Sequence, residues 1–311
     1  MKHTLLIDTD PGVDDALALL MALRAPDAHV VGLTIAAGNV GLPHTVANAL
    51  KLLDVVDQDI PVFAGCAQPL VLPALDAAYV HGRDGFGDTG YAPSSRSASQ
   101  EHAVQAMLRL SHDYAGELTL VMLGPLTNLA LALRLDPSLP SRIKRLVIMG
   151  GAVNTRGNIT PSAEFNVAFD PEAAHVVFSQ WPSCELVDWE ATLAHSIQRP
   201  VFDRWLRQGD HVARFYDVIS LKTREFIQGL FGDAFHSADA LAMAAVLAPE
   251  AVSWSGEYRV DVELGGALYR GATRVDWQRR DTRPPNVRIA ERIDPQIFAS
   301  MLQMALGVNH V

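Results

Sequence analysis

Hydrophobic and polar positions fall into alternating short and long blocks along the chain. Residues 4–8 form a short apolar run ending in acid. From Val13 the segment VDDALALLMALR then sets Ala and Leu at helical spacing until Pro26 stops it. This pattern predicts a strand, a loop and a helix. Residues 29–37 (HVVGLTIAA) read as a buried strand, followed by Gly38-Asn39 and a helix over 44–56, and Val62–Ala64 reads as a short strand. The alternation continues with a helix over 100–114, a strand over 118–123, a helix over 126–134 and a strand at Arg145–Met149. Such βαβα order predicts an α/β fold: an open, mostly parallel central sheet flanked by helices and related to the Rossmann arrangement. Ligands in such sheets bind beyond the carboxyl ends of the strands. Here the strands stop on Asp8 and Asp10, Gly38-Asn39, Leu123-Gly124 and Met149-Gly150-Gly151. The segments 66–99 and 151–165 are long loops for a compact domain, which marks them as functional or mobile.

Composition narrows the function classes. The 311 residues are 49% hydrophobic, enough for a large core, and no Pro/Gly/Ser linker divides them, so residues 1–311 read as one domain. The net charge of −10, without a basic stripe, argues against nucleic acid and for small-molecule chemistry. The N-terminal apolar run meets acid after Ile7, which fits neither a signal peptide nor a membrane span and points to the cytoplasm. Cys66 and Cys184 are too few for a disulfide framework or a cysteine zinc site.

The loop DTDPGVDD at residues 8–15 carries the strongest chemical signal. Asp10, Asp14 and Asp15 lie within six residues of one strand-to-helix turn, bent by Pro11-Gly12. Two unit charges ~4 Å apart repel by about 4 kcal/mol at an effective dielectric of 20, so a converging set calls for a cation. Oxygen-only donors favour calcium or magnesium over zinc. The plainer alternative is that Asp14 and Asp15 decorate the positive end of a helix.

Asn154, Asn158, Glu164 and Asn166 form a second polar cluster, suited to directional bonds with sugar hydroxyls or, alternatively, to satisfying their own loop. Asp239 opens an Ala-rich helix, where it or Ser237 caps the helix or Asp239 supplies a further metal ligand. His81 sits in the glycine-rich VHGRDGFGDTG and reads as carried toward the site by a flexible loop. GFGDTG at 85–90 satisfies GxGxxG, but no strand precedes it and Pro93 blocks a helix, which excludes a dinucleotide site. Neither a GxSxG elbow nor a P-loop is present. Phe165 and Trp189 are aromatic candidates for either core or substrate stacking.

With these residues assembled, the chain resembles the inosine-uridine-preferring nucleoside hydrolase family. The match is carried by DTDPGVDDALAL at 8–19, AGN at 37–39, VHG at 80–82, LGPLTN at 123–128, IMGGA at 148–152, GN at 157–158, AEFN at 163–166 and DPEAA at 170–174. The resemblance implies Ca²⁺-dependent cleavage of the N-glycosidic bond of ribonucleosides to ribose and free base. It implies calcium ligands at Asp10, Asp15 through both oxygens, the carbonyl of Leu123, and Asp239. Ribose contacts are implied at Asp14, Asn39, Asn158, Glu164, Asn166 and Asp239, with Met149 beneath the sugar and Phe165 in the substrate set. Asp10 is the implied base acting on water, with Asn39, His81 and His236 completing the catalytic set.

One departure stands out: Ala238 precedes Asp239 where relatives with an assigned leaving-group acid carry histidine, and the nearest histidine here is His236. Base protonation is therefore unassigned, and His236 either enters the site or is an ordinary loop residue. A homodimer or homotetramer is expected. Two other readings compete: a nucleoside-binding protein that has lost catalysis, and a haloacid dehalogenase-type phosphatase with Asp8 as nucleophile. The latter expects a different pair from Pro11-Gly12. Asp8 is otherwise expected to support its own loop through backbone hydrogen bonds.

Overall fold

The computed structural model describes residues 3–308. Eight strands form the central sheet: β1 His3–Thr9, β2 Ala28–Ile35, β3 Val62–Ala64, β4 Leu118–Met122, β5 Arg145–Met149, β6 Cys184–Val187, β7 Val252–Tyr258 and β8 Val287–Ile293. Their spatial order is β3-β2-β1-β4-β5-β6-β8-β7, with every neighbouring pair parallel except β8 with β7. The chain winds outward from β1 to β3, then returns to place β4 on the other side of β1. That reversal opens a crevice at the carboxyl ends of β1 and β4.

Strand alternation separates two cores. Leu5 and Ile7 of β1 join the apolar layer containing helices Val13–Arg24 and Ala238–Leu247, whereas Leu6 joins the opposite layer with helices Ala103–Asp113 and Thr127–Leu135. Helix Val13–Arg24 is buried over almost its whole surface, which accounts for its near-continuous Ala/Leu content. Its closest helical neighbour, Ala238–Leu247, is largely alanine, and the small side chains permit close approach.

Strand register carries this order to the site. Asp8 pairs with Met122 and Thr9 with Ile35, so the chain leaving β1 runs between Leu123 and the turn at Gly38-Asn39. The Leu123 N–H donates to the Asp8 carbonyl at 2.8 Å, extending the β1–β4 pairing by one residue.

Observed elements follow the expected ones with small shifts at their ends. The loop expected over 66–99 contains a one-turn helix, Ala78–His81, and the loop after β5 runs to the helix Phe165–Phe169. No helix among the described residues is long and apolar enough to cross a membrane.

Candidate active site

Asp10 lies between two glycines. A Cβ on Gly38 would stand 2.0 Å from Asp10 Oδ2, and one on Gly124 would stand 2.3 Å from Oδ1. No side chain fits at either position while the carboxylate stays where it is. Asp10 Oδ2 accepts from the Asn39 N–H at 2.7 Å, and Oδ1 is buried without a hydrogen-bond partner.

Asp15 is fully buried and heavily bonded. Its Oδ1 accepts from the Thr9 hydroxyl and from Asp10 N–H at 3.2 Å; its Oδ2 accepts from Gly12 N–H at 3.0 Å and Asn39 Nδ2 at 2.8 Å. The bond from Gly12 ties Asp15 back across the first turn of Val13–Arg24, so the helix-end role and a site role coexist in one side chain. Asp14 leaves Oδ1 buried and unpartnered. Asp14, Asp15 and Asp239 each bring a carboxylate oxygen within 4.8 Å of the others.

Asp8 is corrected by the structure. Its Oδ2 accepts from the Thr34 hydroxyl at 2.7 Å and from Asn128 Nδ2 at 2.9 Å, so its side chain joins β1 to neighbouring elements and does not support its own loop. Like Asp10 and Asp15 it is not among the residues lining the cavity, and its bonds to Thr34 and Asn128 make it a brace between elements rather than a dehalogenase-type nucleophile. Helix Ala238–Leu247 also departs from expectation: Ser237 occupies the N-cap position but makes no side-chain capping bond, and its hydroxyl is buried without a partner.

The cavity at this edge measures about 370 Å³. Asp14, Asn39, His81, Leu123, Met149 and Asp239 are in its wall, together with Asn158, Glu164, Phe165, Asn166 and His236. Several of these polar groups are already engaged. Glu164 caps helix Phe165–Phe169: Oε1 accepts from Asn166 N–H at 2.9 Å, and Oε2 accepts from Gly151 and Val167 N–H groups at 2.9 and 3.2 Å. Asn166 Nδ2 donates to the Leu123 carbonyl at 2.7 Å, and Asn158 Oδ1 accepts from Phe165 N–H at 2.9 Å. Asn154 is turned elsewhere, with its N–H and Nδ2 donating to Glu190.

His81 is not carried on a free loop. It is buried in the one-turn helix, and Nδ1 accepts from the Val13 N–H at 3.1 Å. Nδ1 is therefore the unprotonated nitrogen, and Nε2 lies 3.9 Å from Asp14 Oδ1. Burial pulls its pKa down to about 4, so the ring is neutral across the ordinary range. His236 also lines the wall, beside Phe231 and Trp189 at ring-centroid distances of 5.0 and 6.5 Å, and burial lowers its pKa. Its loop position therefore does not keep it out of the site.

Carboxylate burial dominates the electrostatics. It pushes Asp8 to about 7, Asp14 and Asp15 to about 6 and Glu164 to about 7. Asp10 and Asp239 rise well above the usual carboxylate range, first through burial and then through neighbouring aspartates. Acidic oxygens gathered without a basic partner, two of them buried and unpaired, fit a hard divalent cation.

Sequence reasoning did not single out Thr9, Thr34 and Asn128, whose partners are remote or unmarked in sequence. It also passed over the wall supplied by the long helix His211–Phe231, including Tyr216, Phe226 and Phe231. Those residues follow ordinary amphipathic spacing, so nothing distinguishes them from core before the helix is docked. Trp189, open between core and stacking, lines the cavity.

Comparison with known proteins agrees with this geometry. Residues 5–300 match the model of a family described as inosine-uridine preferring nucleoside hydrolase. A pyrimidine-specific ribonucleoside hydrolase, RihB, from Escherichia coli O1:K1 / APEC is 33% identical over 305 residues, covering 97% of this chain and 96% of that protein. Among solved structures, the plant nucleoside hydrolase PpNRh1 superposes with TM-score 0.93 at 31% identity, covering 99% of this chain and 100% of the other. An inosine-guanosine nucleoside hydrolase superposes with TM-score 0.91 at 33% identity, with 100% of both chains covered.

Proposed function

This chain belongs to the inosine-uridine preferring nucleoside hydrolase family, and from that premise we propose that it hydrolyses ribonucleosides to ribose and free base with a resident Ca²⁺ ion. It is an N-glycosyl hydrolase, so the reading as a binder without catalysis falls away. The observation that carries the calcium reading is the buried, unpartnered oxygen Asp10 Oδ1 in the same loop as Asp14 and Asp15, whose carboxylates converge with that of Asp239. In this reading Asp10, Asp15, the Leu123 carbonyl and Asp239 hold the ion.

A bound divalent cation supplies Lewis acidity that lowers the pKa of water at its site. The chain's own residues do the rest. Asp10, cradled by glycines with Oδ1 free, accepts a proton from the attacking water. Oxygen of that water bonds to the anomeric carbon as the carbon–nitrogen bond breaks, the electron pair of the broken bond leaves with the base, and the base takes up one proton to become the free base, balancing the proton removed from water. Asp14, Asp239, Asn39, Asn158, Glu164 and Asn166 hold the ribose, Met149 packs beneath it, and the carboxylates favour the positive charge that develops on the ring.

Phe165, Trp189, Phe226 and Phe231 offer apolar surface to the base, with His236 among them and His81 on the carboxylate side. The relatives' named preferences run from pyrimidine to inosine and guanosine at similar identity. Similarity therefore supports the sugar chemistry and leaves base choice to that wall. A dimeric or tetrameric enzyme accords with the exposed apolar side chains Val71, Leu72, Leu75 and Tyr79.

The test is a panel of purine and pyrimidine ribonucleosides assayed for reducing sugar with and without chelator. Release of sugar that chelator abolishes and Ca²⁺ restores is expected, as is loss of turnover in Asp10→Ala. Turnover indifferent to chelator would remove the calcium assignment.

A further inference from the structure

Tyr216 stands in the second turn of helix His211–Phe231 with no accessible surface, and its hydroxyl has no hydrogen-bond partner. The helix otherwise offers the cavity mainly apolar side chains, Phe226, Ile227, Leu230 and Phe231. A buried phenol in such a wall costs about 1–3 kcal/mol if its hydroxyl stays unpaired, and phenylalanine would fill the same space without that cost. Its ring packs edge-on against Phe202 at 6.1 Å, which phenylalanine would also do. Packing therefore explains the ring and leaves the hydroxyl unexplained.

Asp14 supplies the complementary group. Its Oδ1 is a buried acceptor without a donor, and both residues line the same cavity. Burial first, and then the charge of Asp14, hold the phenol's pKa well above its ordinary value, so it remains a neutral donor. The hydroxyl itself is buried, which suits a group acting on a neighbouring carboxylate better than one touching substrate.

We propose that Tyr216 is a positioning residue: its hydroxyl donates to the Asp14 carboxylate when substrate is bound and fixes the orientation in which Asp14 receives a sugar hydroxyl. This deepens the proposed function and rests on Asp14 facing ribose. The expected signature is weaker sugar binding without loss of fold.

Tyr216→Phe tests it. A hydrogen bond to a charged acceptor is worth roughly tenfold in binding, so KM for a ribonucleoside should rise about tenfold while kcat changes less than about threefold. The upward shift in melting temperature given by saturating D-ribose should shrink, with the ligand-free melting temperature kept within about 2 °C. In an Asp14→Asn background the same substitution should change kcat/KM by less than about twofold, because paired residues are not additive. An unchanged KM and ribose shift, or an equal loss with and without Asp14, overturns the proposal. If wild-type protein releases no base, the hydrolase reading fails separately, and the ribose shift still decides the tyrosine.

Discussion

Asn39 Nδ2 donates to Asp15 Oδ2 at 2.8 Å while the backbone N–H of the same residue donates to Asp10 Oδ2 at 2.7 Å. One residue in the turn after β2 therefore fixes two acids of the β1 loop. Its Nδ2 also reaches the Asp10 carbonyl at 3.2 Å. The family resemblance implies a ribose contact for Asn39; its observed bonds make it a brace for the carboxylates.

Asn39→Ala removes the side-chain donor and leaves the backbone bond to Asp10. Losing a donor to a buried carboxylate costs on the order of 1.5–3 kcal/mol, so kcat/KM should fall by roughly 10- to 100-fold. Calcium affinity should fall with it, because Asp15 loses one of its fixed directions. Steady-state kinetics across a calcium titration reads both effects, and unchanged calcium dependence would show that the brace matters only for sugar.

Gly124→Ala tests the cradle around Asp10. The added Cβ would stand 2.3 Å from Asp10 Oδ1 and 3.2 Å from the Asp10 backbone nitrogen, so the carboxylate must rotate or the strand end must shift. Misplacing a catalytic group by about 1 Å costs on the order of 100-fold in rate. The expected outcome is a fall in kcat of that order, with the circular dichroism spectrum unchanged. A fully active variant would show that Asp10 does not act from this position.

The fold was legible because its signals are local and repeated: apolar strands, Ala/Leu helices and acids or glycines where strands stop. The DTDPGVDD loop was legible because density and turn chemistry sit within eight residues. Thr34 and Asn128 were not, since each meets Asp8 only through sheet pairing and helix docking, at separations of 26 and 120 residues. His81 illustrates a different limit. Its glycine-rich surroundings suggest mobility, whereas the bond from Val13 N–H spans 68 residues and fixes the ring. Tyr216 and Phe231 could not be separated from core positions, because a helix that lines a cavity and one that lines a core share the same period.

Removing the cation should make stability depend on pH. Burial raises Asp14 and Asp15 to about 6 and Asp8 to about 7, and raises Asp10 and Asp239 further. Between the unfolded carboxylate range near 4 and these folded values, the folded chain holds more protons than the unfolded chain. Stability of the chelated protein therefore falls as pH rises through that window. A divalent cation competes with those protons, so the gain in melting temperature on adding Ca²⁺ should be small near pH 5 and on the order of 5 °C near pH 8. Calorimetry at the two pH values checks the sign; a larger gain at low pH would contradict binding by these carboxylates.

Glu190 controls the far side of the cavity through the backbone. Its carboxylate accepts from the Asn154 N–H at 2.9 Å, from Asn154 Nδ2 at 3.0 Å and from the Arg156 N–H at 3.1 Å. The segment so held continues into Asn158, whose Oδ1 in turn accepts from the Phe165 N–H. Glu190→Ala removes the anchor without touching the acids of the β1 loop. Each lost bond is worth about 0.5–1.5 kcal/mol, part of which solvent restores at this exposed site. The cost of reordering the loop then falls on substrate binding, which should raise KM by roughly 5- to 20-fold and leave kcat within about threefold. Amide exchange across 154–158 should quicken in the free variant and slow again when substrate or ribose is present. A loss confined to kcat would instead place Glu190 in the chemical step, and unchanged exchange would show that the loop holds its shape without this anchor.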